Sequence, residues 1–267
     1  MIIDFHTHAF NPKIADKAIA QLEANAGFPP LTRGRTEQLI DRMDEWGVDK
    51  SVLLSIATKP TQQKVVNNWA AKIDKCEPRL IAFGSVHPDA EDRCEEAERI
   101  KKLGLHGIKL HPDYQRFMVD DPRVDELYSF IEELGLPVIF HAGFDVVSPE
   151  LVHCPPERAL KLIKRHPKLK IVLAHLGGNE RWQEVYDILA GVGEEMYFDT
   201  AFTSACPDSL MLSIIRRHGA DRILFGSDCP WDSAALIAEK LLRIDLTDDE
   251  RDLIFSKNAL ALLGMND

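Results

Sequence analysis

The segment Ile2-Ile3-Asp4-Phe5-His6-Thr7-His8 opens the chain with a short β-branched, apolar run that ends in two histidines. Such a run is typical of a buried β-strand, in which residues two apart point to the same side. His6 and His8 therefore share one face at the carboxyl end of the predicted strand. The segment predicts a first strand that presents a pair of imidazoles where it ends.

Seven further short apolar runs follow, separated by longer segments with helical spacing such as Leu39, Ile40, Met43 and Trp46. These runs are Ser51 to Ile56, Leu80 to Val86, Gly107 to His111, Pro137 to His141, Lys170 to His175, Met196 to Ala201 and Ile223 to Asp228. Eight strands alternating with helices predict an α/β protein with a (β/α)8 TIM barrel, folded as a single domain over residues 1–267. A doubly wound open sheet is the alternative, but no G-x-G-x-x-G follows the first strand.

Two segments depart from the simple repeat. Residues Asn11 to Thr36 form an extended loop after the first strand, and connections of that length are usually functional covers or partly helical insertions. Whether this loop closes over a site is left open by the sequence. Residues Leu246 to Leu263 predict one or two C-terminal helices that pack on the barrel through Ala259, Leu262 and Leu263.

Composition limits the functions that the chain can have. A formal net charge of −11 disfavours nucleic acid as a partner, because phosphate binding depends on clustered Lys and Arg. No run reaches the roughly 18 apolar residues of a membrane helix, and the N-terminus has no signal-peptide pattern. Five cysteines without a C-x-x-C pair suggest reduced thiols. We expect a cytoplasmic enzyme that acts on a small molecule.

Metal-ligating side chains end most of the predicted strands. Besides His6 and His8 they are His111, His141, His175 and Asp228. In a barrel these residues gather at the carboxyl-terminal mouth, where imidazoles and a carboxylate suit a divalent metal. We expect zinc first and manganese as the alternative, since both accept such ligands. At this point His175 is either a further ligand or an acid/base group beside the metal.

Lys109 lies two residues before His111 and shares its face of the strand. It has three interpretations: a carbamylated lysine that bridges a second metal, an ammonium that orients a substrate anion, or a structural ion pair with Asp199. In the loops, Arg33 and Arg116 are candidates to clamp a substrate carboxylate. Trp231, just after the last strand, is a candidate wall of the substrate pocket.

Five segments taken in order resemble the amidohydrolase superfamily, within it the amidohydrolase-related group that includes aminocarboxymuconate-semialdehyde decarboxylase. They are Ile3-Asp4-Phe5-His6-Thr7-His8, Gly107-Ile108-Lys109-Leu110-His111-Pro112, Ile139-Phe140-His141-Ala142-Gly143, Leu173-Ala174-His175-Leu176-Gly177-Gly178 and Phe225-Gly226-Ser227-Asp228-Cys229-Pro230-Trp231. The resemblance implies a barrel, one divalent metal held by His6, His8, His141 and Asp228, a catalytic His175, and a homodimer.

The resemblance does not decide the reaction. Our first hypothesis is a hydrolase in which metal-activated water attacks an amide, ester or lactone, Asp228 takes the proton, and His175 assists the oxyanion or leaving group. The alternative is non-oxidative decarboxylation of a small unsaturated or aromatic acid, which rests on family analogy. A catalytically silent metal-binding barrel is the third hypothesis.

Overall fold

Each of the eight predicted apolar runs forms a strand in the computed structural model, which describes residues 1–265. The strands are β1 (Ile3–Thr7), β2 (Lys50–Leu54), β3 (Leu80–Phe83), β4 (Ile108–Leu110), β5 (Val138–Phe140), β6 (Ile171–Leu173), β7 (Met196–Asp199) and β8 (Ile223–Leu224). Most of them end earlier than the apolar runs suggest. The polar residues at the ends of the runs therefore lie mainly on the loops that leave the barrel.

All neighbouring strands pair in parallel, in the order β1-β2-β3 and β4-β5-β6-β7-β8. A parallel bridge between Gly84 and Ile108 joins β3 to β4, and another between Thr7 and Cys229 joins the ends of β1 and β8. These bridges close the sheet into a barrel. The (β/α)8 prediction is confirmed, and the open sheet is not the fold.

Helices follow the strands on the outside. They are α1 (Ala15–Ala26), α2 (Thr36–Trp46), α3 (Gln63–Cys76), α4 (Arg93–Lys102), the single turn α5 (Pro112–Gln115), α6 (Asp125–Leu134), α7 (Pro156–Arg165), α8 (Trp182–Glu184), α9 (Asp208–His218), α10 (Ala234–Arg243), α11 (Asp248–Asp252) and α12 (Asn258–Leu263). Gly47 and Gly135 end α2 and α6 with φ of 68° and 70°. Glycine adopts this left-handed conformation without a Cβ clash, which explains why both helices end at a glycine.

The long connection after β1 is partly helical, since it contains α1. Two hydrogen bonds hold its C-terminal part: the Phe10 N–H donates to the Gly34 carbonyl at 2.8 Å, and the Leu31 N–H donates to the Pro230 carbonyl at 2.8 Å. The second bond joins the insertion to the loop after β8. The insertion therefore lies at the carboxyl-terminal mouth of the barrel.

The C-terminal helices cover the opposite end. The side-chain amide of Asn258 donates to the carbonyl of Ile223, at the start of β8, at 2.7 Å. Ala259 and Leu262 are buried with the inward-facing side chains Ile3 and Phe5, while Leu263 is partly buried. The predicted terminal helices are confirmed, and only the carboxyl-terminal mouth is left for a site. No helix within residues 1–265 is long and apolar enough to cross a membrane.

Candidate metal centre

Three predicted ligands converge at the mouth, and we call them the triad: His6, His8 and Asp228. His6 Nε2 and His8 Nε2 are 3.2 Å apart, and Asp228 Oδ1 lies 3.3 Å from the first and 3.1 Å from the second. Strand pairing brings them together, because the Asp228 N–H donates to the His6 carbonyl at 2.8 Å. Asp228 has a φ of 73°, a conformation in which a non-glycine residue is held only by its surroundings.

The tautomers of the two histidines leave lone pairs facing one another. His8 Nδ1 lies 3.0 Å from the Leu54 carbonyl, which can only accept, so this nitrogen carries the proton. His6 Nδ1 donates in the same way to Asp199 Oδ2 at 2.7 Å. Burial, reinforced by the charge of Lys109, lowers the pKa of His6 well below its usual value, so the ring is neutral. In the neutral tautomers that these two hydrogen bonds select, both Nε2 lone pairs and a carboxylate oxygen face the same point.

Such a set of acceptors fits a cation. Zinc held tetrahedrally at its usual bond lengths separates neighbouring ligand atoms by about 3.3 Å. The triad distances of 3.1 to 3.3 Å match that spacing. The chemistry and the geometry of these three residues therefore both suit a divalent metal.

Asp199, predicted only as a partner of Lys109, supports the triad. Its Oδ1 accepts the backbone N–H groups of His175 at 2.9 Å and Ala201 at 3.0 Å, while Oδ2 binds His6. Burial raises the pKa of Asp199 to about 7, and the N–H donors and the Lys109 charge act against that rise. A carboxylate behind a ligating histidine fixes its tautomer and ring orientation. The only sequence signal for this role is its position at the end of β7.

His175 lies beside the triad, with its ring centroid 5.3 Å from that of His6. Its Nδ1 donates to the Ala201 carbonyl at 3.0 Å, which leaves Nε2 as the acceptor. That nitrogen is 2.9 Å from His141 Nδ1. Burial lowers the pKa of His175 to about 4, so the free ring is neutral. The position suits the acid/base role that we expect of His175.

His141 is outside the triad in this structure. Its ligand atoms group instead with those of His111 and Asp145, and both histidine Nε2 atoms lie 3.5 Å from Asp145 Oδ2. The role of His141 as a fourth metal ligand stays a prediction. Asp145 was not predicted at all; burial raises its pKa to about 6.

The second group does not suit an ion as well as the triad does. The rings of His111 and His141 are parallel within 6° and stacked at 4.4 Å. An ion between them would lie outside both ring planes, whereas an imidazole lone pair lies in its plane. The Tyr114 N–H also donates weakly to His111 Nδ1 at 3.4 Å, which places the proton of His111 on Nε2, towards Asp145. Among residues 1–265 this group is therefore a poorer metal site than the triad, with the proton of His111 directed towards the Asp145 carboxylate.

Lys109 is buried within β4, with 1% of its surface exposed. Burial lowers its pKa to about 8, although the charges of Asp199, Asp228 and Asp145 favour the ammonium. The predicted ion pair with Asp199 is not formed among residues 1–265, because that carboxylate binds His6 and two backbone N–H groups. The carbamate and the substrate-orienting ammonium remain the two interpretations.

Aromatic side chains form one wall of the mouth. Phe28, from the insertion, stacks on Phe202 with ring centroids 6.2 Å apart and meets Trp231 edge-on at 6.0 Å. Phe202 in turn lies 6.5 Å from His175. Trp231 is thus beside the site as predicted, whereas Phe28 lacked any sequence signal. We call Phe28, Phe202 and Trp231 the aromatic wall.

The predicted arginine clamp is not assembled. Arg33 forms an ion pair with Glu23 of α1 at 3.0 Å, and Arg116 is exposed just after α5. Within residues 1–265, neither guanidinium forms a hydrogen bond or ion pair with the triad. Their role in binding a substrate stays a prediction.

Comparison with known proteins identifies similar chains. The curated 2-amino-3-carboxymuconate-6-semialdehyde decarboxylase of Dictyostelium discoideum is 22% identical over 236 residues, covering 75% of this chain and 66% of that protein. The solved structure of 5-carboxyvanillate decarboxylase LigW from Sphingomonas paucimobilis has a TM-score of 0.76 at 19% identity and covers 99% of both chains. A dihydroxybenzoic acid decarboxylase from Polaromonas sp. JS666, solved with manganese and the inhibitor 2-nitroresorcinol, has a TM-score of 0.75 at 19% identity, covering 100% of this chain and 97% of that one.

At these identities the solved structures show a shared fold. The chain spans about two thirds of the length of its curated relative. The family model of the amidohydrolases, in its amidohydrolase 2 form, matches residues 3–265. Because this match covers nearly the whole chain, the protein belongs to the amidohydrolase 2 family of enzymes, as the order of its motifs predicts.

Proposed function

We propose that this protein is a metal-dependent carboxy-lyase that removes carbon dioxide, without oxidation, from a small unsaturated or aromatic acid. The observation that carries the proposal is the position of the triad beside the His141–His175 contact, where two ring nitrogens lie 2.9 Å apart and share a proton. Decarboxylation needs a cation near the substrate's oxygen atoms and a proton for the carbon that loses carbon dioxide. The relatives named above are decarboxylases, which supports this reaction over others.

His6, His8 and Asp228 would hold the ion, with His141 as the predicted fourth ligand. We propose zinc first and manganese as the alternative, because both accept imidazole and carboxylate ligands. When bound, the ion supplies a Lewis acid that polarises oxygen atoms of the substrate.

The chain's own residues would bind the acid and move the proton. The bond between the substrate carbon and its carboxylate breaks and the electron pair stays on that carbon. The carbon then takes a proton that Asp228 or Nε2 of His175 has first accepted from solvent. The Ala201 carbonyl keeps the proton of His175 on Nδ1, so Nε2 is the atom that takes or gives a proton. The aromatic wall excludes water from one side of the reacting group.

The opposite side of the mouth offers donors to an anionic group. His111 Nε2–H and the Lys109 ammonium are two of them. Tyr114 is the third: its ring stacks on His111 at 3.9 Å, and burial together with the Asp145 and Asp228 charges raises its pKa, so the hydroxyl stays protonated. We propose that these three residues bind the substrate's polar groups.

Hydrolysis of an amide, ester or lactone, our first hypothesis from the sequence, is now the second candidate. The observation that favours it is the same triad, since three ligands leave room for water on the ion. The named relatives do not include a hydrolase of this kind. We therefore rank the carboxy-lyase first.

The two reactions are separated by their products. The metal-loaded enzyme is incubated in D2O with a panel of hydroxylated aromatic acids and unsaturated dicarboxylic acids, and with a second panel of amides, esters and lactones. We expect carbon dioxide release with deuterium at the carbon that lost it, detected by NMR, and no turnover of the second panel. A His6→Ala, His8→Ala double variant, which lacks two ligands, is the inactive control. Hydrolysis of the second panel with no carbon dioxide from the first would reject the carboxy-lyase.

We also propose a homodimer in the cytoplasm. All five cysteines are free, and Cys154, Cys206 and Cys229 are buried, which supports a reducing compartment. Size-exclusion chromatography with light scattering tests the dimer.

A further inference from the structure

Lys240 of α10 is a buried charged residue outside the triad. It is 3% exposed, and its ammonium points at the loop after β7. The Nζ donates to the carbonyl oxygens of Thr203 and Ser204, at 3.0 Å each, and to that of Cys206. The carboxylate of Asp208 is 3.5 Å away and partly exposed.

Burying the Lys240 ammonium lowers the stability of the folded protein. A buried ammonium loses its hydration, and carbonyl groups with a single distant carboxylate compensate only part of that loss. An apolar side chain of similar length, such as methionine, would fill the same space without a charge. The three donors of the ammonium instead match three carbonyl oxygens of one short loop.

That loop, residues 200–207, which we call the β7 loop, carries two groups of the candidate site. The Ala201 carbonyl accepts the Nδ1 proton of His175 at 3.0 Å. Phe202 contributes its ring to the aromatic wall and has a φ of 54°, an unfavourable conformation for a residue with a Cβ. A loop with this strain keeps its shape only when its surroundings hold it.

A hydrogen bond within the β7 loop also stabilises its conformation. The Thr203 hydroxyl donates to the Thr200 carbonyl at 2.6 Å, and the carbonyl of the same Thr203 accepts from Lys240. The Phe202 N–H donates to the Ser227 carbonyl at 3.2 Å, next to Asp228. Lys240 and His175 therefore bind carbonyl groups of the same loop, those of Thr203 and Ala201, which are two residues apart.

We propose that Lys240 is a positioning residue for His175. By holding the carbonyl groups of the β7 loop, it keeps the Ala201 carbonyl on Nδ1 of His175 and so fixes the tautomer and the orientation of that ring. Without this acceptor the proton of His175 can move to Nε2, the atom that faces His141. The inference deepens the proposed function, because it matters for turnover only if His175 moves protons.

The test is a Lys240→Met variant studied as the zinc-loaded protein with 15N-labelled histidine. The Nδ1–H signal of His175, assigned with a His175→Gln variant, reports its hydrogen bond to Ala201 without any substrate. We expect this signal to shift or to be lost through exchange with water in the Lys240→Met variant. We also expect kcat to fall roughly tenfold or more, with KM within about threefold of wild type, because an acid/base group is misplaced while binding is kept.

The matched control is Arg243→Met on the same helix. Arg243 is 55% exposed and binds the same Asp208, with Nε 2.8 Å from Oδ2, but it does not touch the β7 loop carbonyls. The control should keep both the His175 signal and the turnover. If Lys240→Met does not fold, Lys240→Gln, which is neutral and donates two hydrogen bonds, takes its place.

Each outcome decides the inference. An unchanged His175 signal in the Lys240 variant, whatever the turnover, shows that Lys240 only stabilises the loop and overturns the proposal. A lost signal with reduced kcat supports it. A lost signal with unchanged kcat supports the positioning but removes His175 from the reaction, so a failure of the proposed function is distinguished from a failure of this inference.

Discussion

Replacing Asp199 by asparagine should weaken metal binding, although Asp199 is not itself a predicted metal ligand. Oδ1 of Asp199 accepts two backbone N–H groups, from His175 and Ala201, and Oδ2 accepts the Nδ1 proton of His6. An asparagine has one oxygen for these two sides. Its amide N–H must face either His6 or the two backbone donors.

Magnitudes decide which way the asparagine turns. Facing the amide N–H towards the backbone would leave two buried donors unsatisfied, at about 1 to 3 kcal/mol each. Facing the amide N–H towards His6 costs less free energy, because the His6 ring can change tautomer and accept on Nδ1. The proton of His6 then lies on Nε2, where it points into the triad. Loss of an outer partner of a ligand usually weakens metal affinity about 10- to 100-fold, or about 1.4 to 2.7 kcal/mol. Since Asp199→Asn also blocks the His6 lone pair, we expect at least about a 100-fold rise in Kd.

The assay is a zinc titration in competition with a chromophoric chelator, with thermal unfolding of the metal-free protein in parallel. Asp4→Asn is the matched control. Asp4 is also buried, within β1; its Oδ1 accepts the backbone N–H groups of His6 and Ser227, and its Oδ2 accepts the hydroxyl of Ser227, which can instead accept from the new amide. We expect its Kd to stay within about threefold of wild type, since no ring tautomer changes. A wild-type Kd for Asp199→Asn in a folded protein would refute the tautomer argument and remove His6 from the ligand set.

Three further predictions follow from the same structure. His141→Ala should weaken zinc binding about tenfold or more in the same titration if His141 is the fourth ligand; unchanged affinity would assign it to the contact with His175 alone. Tyr114→Phe keeps the stack on His111 but loses a hydroxyl donor, so decarboxylation should slow about tenfold with unchanged metal content by elemental analysis; full turnover would exclude the hydroxyl from binding. Burial lowers the pKa of His218 to about 3, so below about pH 6.5 the unfolded state binds a proton that the folded state does not bind. The contribution of His218 to the free energy of unfolding is therefore complete above pH 6.5 and is lost as the pH falls towards 3. Urea unfolding should therefore show that the free energy of unfolding falls between pH 7 and pH 5 by about 2 kcal/mol less in His218→Gln than in wild type. Equal decreases in the two proteins would contradict the assignment.

The eight strands were predictable because their signal is local. A parallel strand that is buried on both faces is a short apolar run, which can be recognised from neighbouring residues alone. The face shared by His6 and His8 follows from the alternation of side chains along one strand. The insertion after β1 was predictable as a long segment, but not its contact with the β8 loop.

Other parts of the site had no such local signal. Asp145 follows β5 by five residues and looked like a loop carboxylate until the loop folded back on His111 and His141. Phe28 lies in the insertion and reaches Phe202 and Trp231 only because the barrel brings their loops together. Arg33 looked like a substrate clamp, yet the nearby carboxylate of Glu23 holds it.

The sequence by itself determined the barrel, the family and the residue types at its mouth, since strand periodicity and motif order are properties of neighbouring residues. Only the tertiary structure decided which nitrogen of each histidine carries the proton, that Asp199 binds His6, and that Lys240 binds the β7 loop. His6 and Asp199 are 193 residues apart, and their contact exists because parallel strands close into a ring. Closure of the barrel brings residues from distant strands into contact, and no pattern of neighbouring residues predicts such contacts.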